Sequence, residues 1–207
     1  MTISIIVTFF VTMFVIFWVW MSVVVWSLKN GISPMPTSDK VRRKVLASIP
    51  PNTQGKIVDL GSGWGNMAIQ LAKHLPHCQV IGYETSPIPY YFSKLWLYFD
   101  KLQNLAIEKN DFSNISLKDK SLIYTYLYPG AMKVLKKKFD DELTPGTIVI
   151  SNTFAVPGWD PIQVLEVKDM YNTRIYMYIK SNSNIEAHNA KPTDYLKNKG
   201  ENLIHNP

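Results

Sequence analysis

From Ile3 to Leu28 the chain carries no charged side chain, and its polar positions are only scattered Thr and Ser. A soluble core helix of that length would show a polar stripe. About 20 apolar residues at 1.5 Å each cross a bilayer core, so this pattern predicts one transmembrane helix over 1–28. Trp18, Trp20 and Trp26 crowd its C-terminal half, as expected near a membrane interface. Beyond it the pattern breaks into short runs. GISPMPTSD carries two prolines and turn formers and predicts a linker over 29–38. Thr37 or Ser38 can cap a helix from about Asp39 to Ile49, which Pro50 and Pro51 stop. KIVDL, QVIGYE, LAIEK, SLIYTYL and TIVISNTF are short apolar runs that read as strands. Helical spacing falls between them from Asn66 to Leu75, from about Ile88 to Gln103, and after Gly130. VLEVKDM and YNTRIYMYIK read as two strands joined by a turn around Asn172. Strands alternating with helices predict an α/β domain over 39–180: a doubly wound, mostly parallel sheet, with the closing hairpin adding antiparallel strands. The tail over 181–207 is rich in Asn and Lys and is expected to be loosely ordered.

Composition narrows this picture. The 207 residues hold 22 Lys and Arg against 16 Asp and Glu, a net charge of +6. That suits a domain near anionic lipid and equally suits plain solubility. Lys29, Lys40, Arg42, Arg43 and Lys44 follow the span, so the positive-inside rule puts the C-terminal side in the cytoplasm. A cleaved signal peptide fits poorly: the apolar run is too long, and no basic residue precedes it. The single cysteine, Cys78, reads as a small apolar filler. His74, His77, His188 and His205 lack partners at metal-ligand spacing, so no metal is expected.

The chemistry-bearing segment is Asp59-Leu60-Gly61-Ser62-Gly63-Trp64-Gly65-Asn66, between a strand and a helix. Its glycines let the backbone turn sharply and approach a ligand. A dinucleotide fingerprint needs its third glycine at position 66, where Asn66 stands. Asp59 would repel a pyrophosphate but attract a ligand carrying an ammonium and a sulfonium. The pattern therefore favours S-adenosylmethionine over a nicotinamide dinucleotide. Glu84 ends the second strand, 23 positions after Gly61, where a carboxylate can accept ribose hydroxyls. Asp111 beside Phe112 suits an adenine amino group and ring face.

These segments, with VIGYETSPIPYYFSK, LYPGAMK and TFAVPGWDP, resemble the seven-β-strand S-adenosylmethionine-dependent methyltransferases. More narrowly, the stretch from about Pro34 to Lys180 is similar to a membrane-anchored branch. That branch includes the mitochondrial lysine methyltransferases of the adenine nucleotide translocase and of the ATP synthase c-subunit, and their bacterial relatives. Mitochondrial members carry an acid and a base after the second glycine, where this chain has Trp64 and Asn66. The resemblance implies a Rossmann-like sheet of seven strands and bound S-adenosylmethionine. It further implies that Asp59, Gly61, Ser62, Gly63, Trp64 and Gly65 hold the methionine end, Glu84 the ribose, and Asp111 with Phe112 the adenine. The acceptor is expected near the end of the fourth strand, where Tyr128 could line its channel or orient an amine. No N-P-P-Y type motif stands there, which argues against nucleic acid as substrate. Trp159 could close the site, whereas Tyr90, Tyr91, Trp96 and Tyr98 read as core or helix surface. The expected function is methylation near a bilayer, first of all of a lysine on a membrane protein. A lipid or lipophilic acceptor and a catalytically silent tethered module are the alternatives.

Overall fold

The computed structural model describes residues 2–31 and 35–181. Most of the expected tail, and part of the expected linker, lie outside the described residues. Helix α1 (Thr2–Asn30) stands apart from the sheet, its apolar side chains largely exposed. Its segment Ile3–Leu28 is long and apolar enough to cross a membrane, by length and composition. The hydroxyls of Thr8, Thr12 and Ser27 turn back onto the carbonyls of Ser4, Thr8 and Val23 at 2.7–2.9 Å. These three of its scattered polar positions therefore satisfy their hydroxyls within the helix.

After it come α2 (Asp39–Ser48), β1 (Lys56–Leu60), α3 (Asn66–His74), β2 (Gln79–Glu84) and α4 (Pro87–Asp100). The chain continues with β3 (Leu105–Lys109), a 3-10 turn at Phe112–Asn114, β4 (Lys120–Thr125), α5 (Pro129–Glu142) and β5 (Ile148–Asn152). The hairpin β6 (Gln163–Glu166) and β7 (Arg174–Ile179) follows. The seven strands form one sheet in the order β3-β2-β1-β4-β5-β7-β6. β1 to β5 run parallel, while β7 inserts antiparallel between β5 and β6. The fold is thus a doubly wound α/β sheet with seven strands, as expected. The hairpin's inner strand lies within the sheet because Ile175, Met177 and Tyr178 are buried on its two faces.

Both faces of the sheet are covered. One core cluster joins Val41 and Val45 of α2 and Met67, Ile69 and Leu71 of α3 to Ile57, Leu122 and Ile150. The other joins Met132, Leu135 and Phe139 of α5 to Val58, Ile123, Val149 and Tyr178. A central strand covered on both sides needs a continuous apolar run, which is why β1 and β5 show no alternation. Ser38, not Thr37, caps α2, accepting the Val41 N–H at 3.4 Å. That frees Thr37 for a different role.

Candidate active site

Strand order reverses between β1 and β4, and at such a switch point the loops leaving the carboxyl ends of neighbouring strands diverge and open a crevice. There an open cleft offers about 1140 Å³ of space, part of it continuous with solvent. Asp59, Gly61, Ser62, Gly63, Trp64, Glu84, Asp111, Phe112 and Tyr128 all line it. Four elements therefore bring together side chains up to about 70 positions apart.

The loop after β1 is held by backbone bonds. The Gly61 and Ser62 N–H groups both donate to the Tyr83 carbonyl at 2.9 Å, and Gly65 N–H donates to the Ser62 carbonyl at 2.9 Å. Gly65 caps α3 in the left-handed region, φ 81°. A Cβ there would meet Ser93 Cβ of α4 at 2.8 Å. Both conformation and space thus demand glycine. Gly65 is the one expected cofactor-loop residue that does not line the cleft; it lets α3 and α4 close up behind the loop instead.

Glu84 is buried, and each of its oxygens accepts one backbone N–H. Oε2 takes Gly63 N–H and Oε1 takes Ser86 N–H, both at 2.7 Å. It therefore ties the glycine loop to the start of α4. Each oxygen retains a second lone pair for a ligand hydroxyl. Asp111 caps the 3-10 turn by accepting from Ser113 N and Oγ at 2.8 and 2.7 Å, which sets Phe112 at the cleft edge.

Asp59 is 2% exposed, and its Oδ2 has no hydrogen-bond partner. Burial, then the nearby Glu84 charge, push its carboxyl up to about 8, against the lowering effect of the Ala68 N–H. A buried carboxylate without a cation is costly unless a ligand brings one. Ser62 Oγ and Asn66 Oδ1, on residues that line the same cleft, are likewise buried without partners. These unpartnered acceptors fit the ammonium of an amino-acid moiety, with the Ser62 hydroxyl free to donate and a diol acceptor at Glu84.

Sequence reasoning missed the other wall. Met35, Pro36 and Thr37, between α1 and α2, line the cleft. Thr37 Oγ1 lies 3.1 Å from Tyr124 Oη, which also accepts from Asn152 Nδ2 at 3.2 Å. Burial raises the Tyr124 phenol's pKa, so it stays neutral in this network. The backbone at Gly31 lies against the Tyr128 ring: a Cβ there would meet Cζ at 2.7 Å. The signal was present in PMPTS, which looked like linker because prolines usually mark one. Trp159 corrects a sequence expectation. It packs on Phe139 and Tyr178 and donates to Asp140 Oδ1 at 2.9 Å, away from the cleft. Its indole found apolar partners in the α5-side core, so it does not close the site.

Residues 59–163 match the sequence profile of the ANTKMT methyltransferase domain. A protein-lysine N-methyltransferase of Saccharolobus islandicus is 28% identical over 147 residues, covering 70% of this chain and 91% of that protein. The adenine nucleotide translocase lysine N-methyltransferase of Mus musculus is 32% identical over 115 residues. The lysine N-methyltransferase of the ATP synthase c-subunit from Rattus norvegicus is 29% identical over 109 residues. These alignments cover 54% and 52% of this chain, and 48% and 50% of the two mammalian relatives. An RNA methyltransferase from Salinibacter ruber, solved with S-adenosyl-L-homocysteine, superposes with TM-score 0.63 at 22% identity. That superposition covers 74% of this chain and 98% of that one, and shows the fold they share. With the glycine loop, the uncompensated Asp59 and the buried Glu84 on one cleft, the chain belongs to the ANTKMT methyltransferase domain family of S-adenosylmethionine-dependent methyltransferases.

Proposed function

We propose that this chain is a protein-lysine N-methyltransferase held at a membrane by α1, with its cleft on the cytoplasmic side and its acceptor lysine on a membrane protein. The observation that carries the membrane part is the Met35–Thr37 wall: these three residues, only a few positions after α1, form one side of the cleft. At no more than about 3.5 Å per residue, the few residues from Leu28 to Met35 keep the cleft within about 25 Å of the helix end. The lysine part draws on the relatives named above, each a lysine methyltransferase by name. The basic residues after the span support the orientation.

Their places in the cleft support the following residue roles. Asp59 pairs with the cofactor's ammonium, Glu84 accepts from its ribose diol, and Asp111 with Phe112 borders its adenine. When bound, S-adenosylmethionine supplies a methyl group on a sulfonium, an excellent leaving group. The chain's own task is to hold a neutral amine in line at roughly 3 Å. At the acceptor end, Leu127 and Tyr128 give the cleft apolar walls that disfavour a lysine ammonium, so the acceptor enters after losing its proton to solvent. Tyr128 orients that amine through its hydroxyl.

Tritiated S-adenosylmethionine, incubated with the full chain and membranes from a deletion strain, tests this reading. Label should enter a membrane-protein band and be recovered as methyl-lysine. Label confined to the lipid extract would replace lysine with a lipid acceptor. Deleting residues 1–28 should slow that reaction while leaving S-adenosylhomocysteine affinity intact. Equal rates with and without the span would make a soluble acceptor the better reading.

A further inference from the structure

Helix α4 turns a broad apolar face outward, which only Phe92, at its edge, shares with the cleft wall through Trp64. Tyr91, Phe92, Leu95, Trp96, Tyr98 and Phe99 are all exposed, Tyr98 at 75% and Phe99 at 71%. At 3.6 residues per turn they fall in one stripe roughly 160° wide. The opposite side of the helix is the packed one: Pro89 and Ser93 are buried, and Tyr90 and Leu97 pack on the α2–α3 core. α4 is thus amphipathic in the wrong sense for a soluble domain, with a broader apolar stripe outward than inward. Exposed aromatic patches of this size on a folded domain mark a partner.

Three observations say what the partner is. Helix α4 starts beside α1: Ser22, Val23 and Trp26 face Ser86, Ile88 and Pro89 across a small crevice. The exposed face begins at Tyr91, within a turn of that contact with the apolar helix. Its composition is Tyr, Trp and Phe with one Leu, the mixture that settles at the headgroup boundary of a bilayer. Its charges are cationic at the edges. Lys94 flanks the stripe and Lys101 ends the helix, while the helix's one acid, Asp100, is held by Lys73 at 3.0 Å.

We infer that α4 is a second membrane contact, lying in the plane of the interface with its aromatic stripe in the headgroup–acyl boundary of an anionic bilayer. The inference rests on the reading of α1 as a span. An in-plane amphipathic helix buries its apolar face by about 5–10 Å. α4 also supports the cofactor site from behind: Ser93 packs under Gly65, Ser86 N–H holds Glu84, and Phe92 stacks edge-on against Trp64 at 5.3 Å between centroids. Seating α4 in the interface therefore fixes the depth and tilt of the cleft relative to the bilayer, which a single span and a short connection leave free to rotate. A lysine at headgroup depth is the acceptor that this posture presents.

The test uses the full chain reconstituted in vesicles of phosphatidylethanolamine and phosphatidylglycerol. Cysteines introduced by Leu95→Cys and, separately, Tyr98→Cys are labelled with an environment-sensitive fluorophore; native Cys78 is buried and stays unlabelled. Met170→Cys, on the β6–β7 turn at the far edge of the sheet from α4, is the aqueous reference. Labels at 95 and 98 should shift to the blue and be quenched severalfold more by acyl-chain nitroxides than the reference, with the reverse order for iodide. Labels as wet as the one at 170, in a chain that floats with the vesicles, would overturn the inference. Labels shielded from both quenchers only at high protein-to-lipid ratio would overturn it in favour of a second copy on this face. A chain that does not float loses the span reading and this inference with it. None of these readouts depends on the acceptor, so a failed lysine assignment stays separate. The double variant Leu95→Glu with Tyr98→Glu should retain S-adenosylhomocysteine affinity and lose the acyl-chain quenching of a label at Trp96→Cys.

Discussion

Replacing Asp59 by Asn should make the ligand-free protein more stable while disabling it. The folded-state pKa of Asp59 is about 8 against the ordinary value of 3.8. A carboxyl raised in this way holds its proton more tightly when folded, so it penalises folding as pH climbs above 3.8, and the penalty levels off above 8. Linkage arithmetic gives a penalty of about 3 kcal/mol near pH 6 and about 5 kcal/mol near pH 8. Asn has nearly the same shape, keeps an acceptor for the Ala68 N–H and carries no charge, so this penalty vanishes. Thermal unfolding of both chains in the same detergent, followed by near-ultraviolet circular dichroism, should show the Asn variant melting higher. The gap should widen by about 2 kcal/mol between pH 6 and 8, or about 4–8 °C in Tm for a chain of this size. Titration calorimetry should show S-adenosylhomocysteine binding weakened by about 1.5–3 kcal/mol, the scale of a hydrogen bond to a charged group. Melting points that move in parallel with pH, or undiminished binding by the variant, would refute the idea that Asp59 is a buried charge kept for its ligand.

The same carboxyl makes cofactor affinity depend on pH. A ligand ammonium favours ionised Asp59, so binding near pH 7 should release about one proton, and affinity should fall about tenfold per pH unit below 8. Calorimetry in buffers of different ionisation enthalpy reads that release directly, and Asp59→Asn should abolish it. Gly65→Ala adds a Cβ at φ 81° and 2.8 Å from Ser93 Cβ, so it should destabilise the chain by about 1–3 kcal/mol in denaturant unfolding. Tyr128→Phe keeps the ring against Gly31 and removes only the hydroxyl. It should lower kcat about tenfold or more and leave S-adenosylhomocysteine affinity unchanged, and an equal fall in that affinity would instead place Tyr128 on the cofactor.

Much of this protein was legible one residue at a time. The uncharged run before Leu28, the five apolar strands and the glycine turn after Asp59 are local signals: helical and strand periods and special backbone angles depend on neighbours within a few positions. Helix ends shifted by a few residues, as α4 does in stopping at Asp100 rather than Gln103, because Lys101 takes up a left-handed C-cap. Other features depended on residues distant in sequence. Thr37 looked like a helix cap until Tyr124, 87 positions away, offered its hydroxyl. Trp159 read equally as a lid or as an aromatic anchoring its turn until Phe139 and Tyr178 took its ring. The charge state of Asp59 was not in the sequence at all, since burial sets it and burial is a property of the assembled layers. Tyr90, Tyr91, Trp96 and Tyr98 read as core or helix surface alike, and only packing put Tyr90 on the core and the other three outside. Periodicity records which face of an element turns inward, whereas the partner that each face meets is decided by the packing of the whole chain.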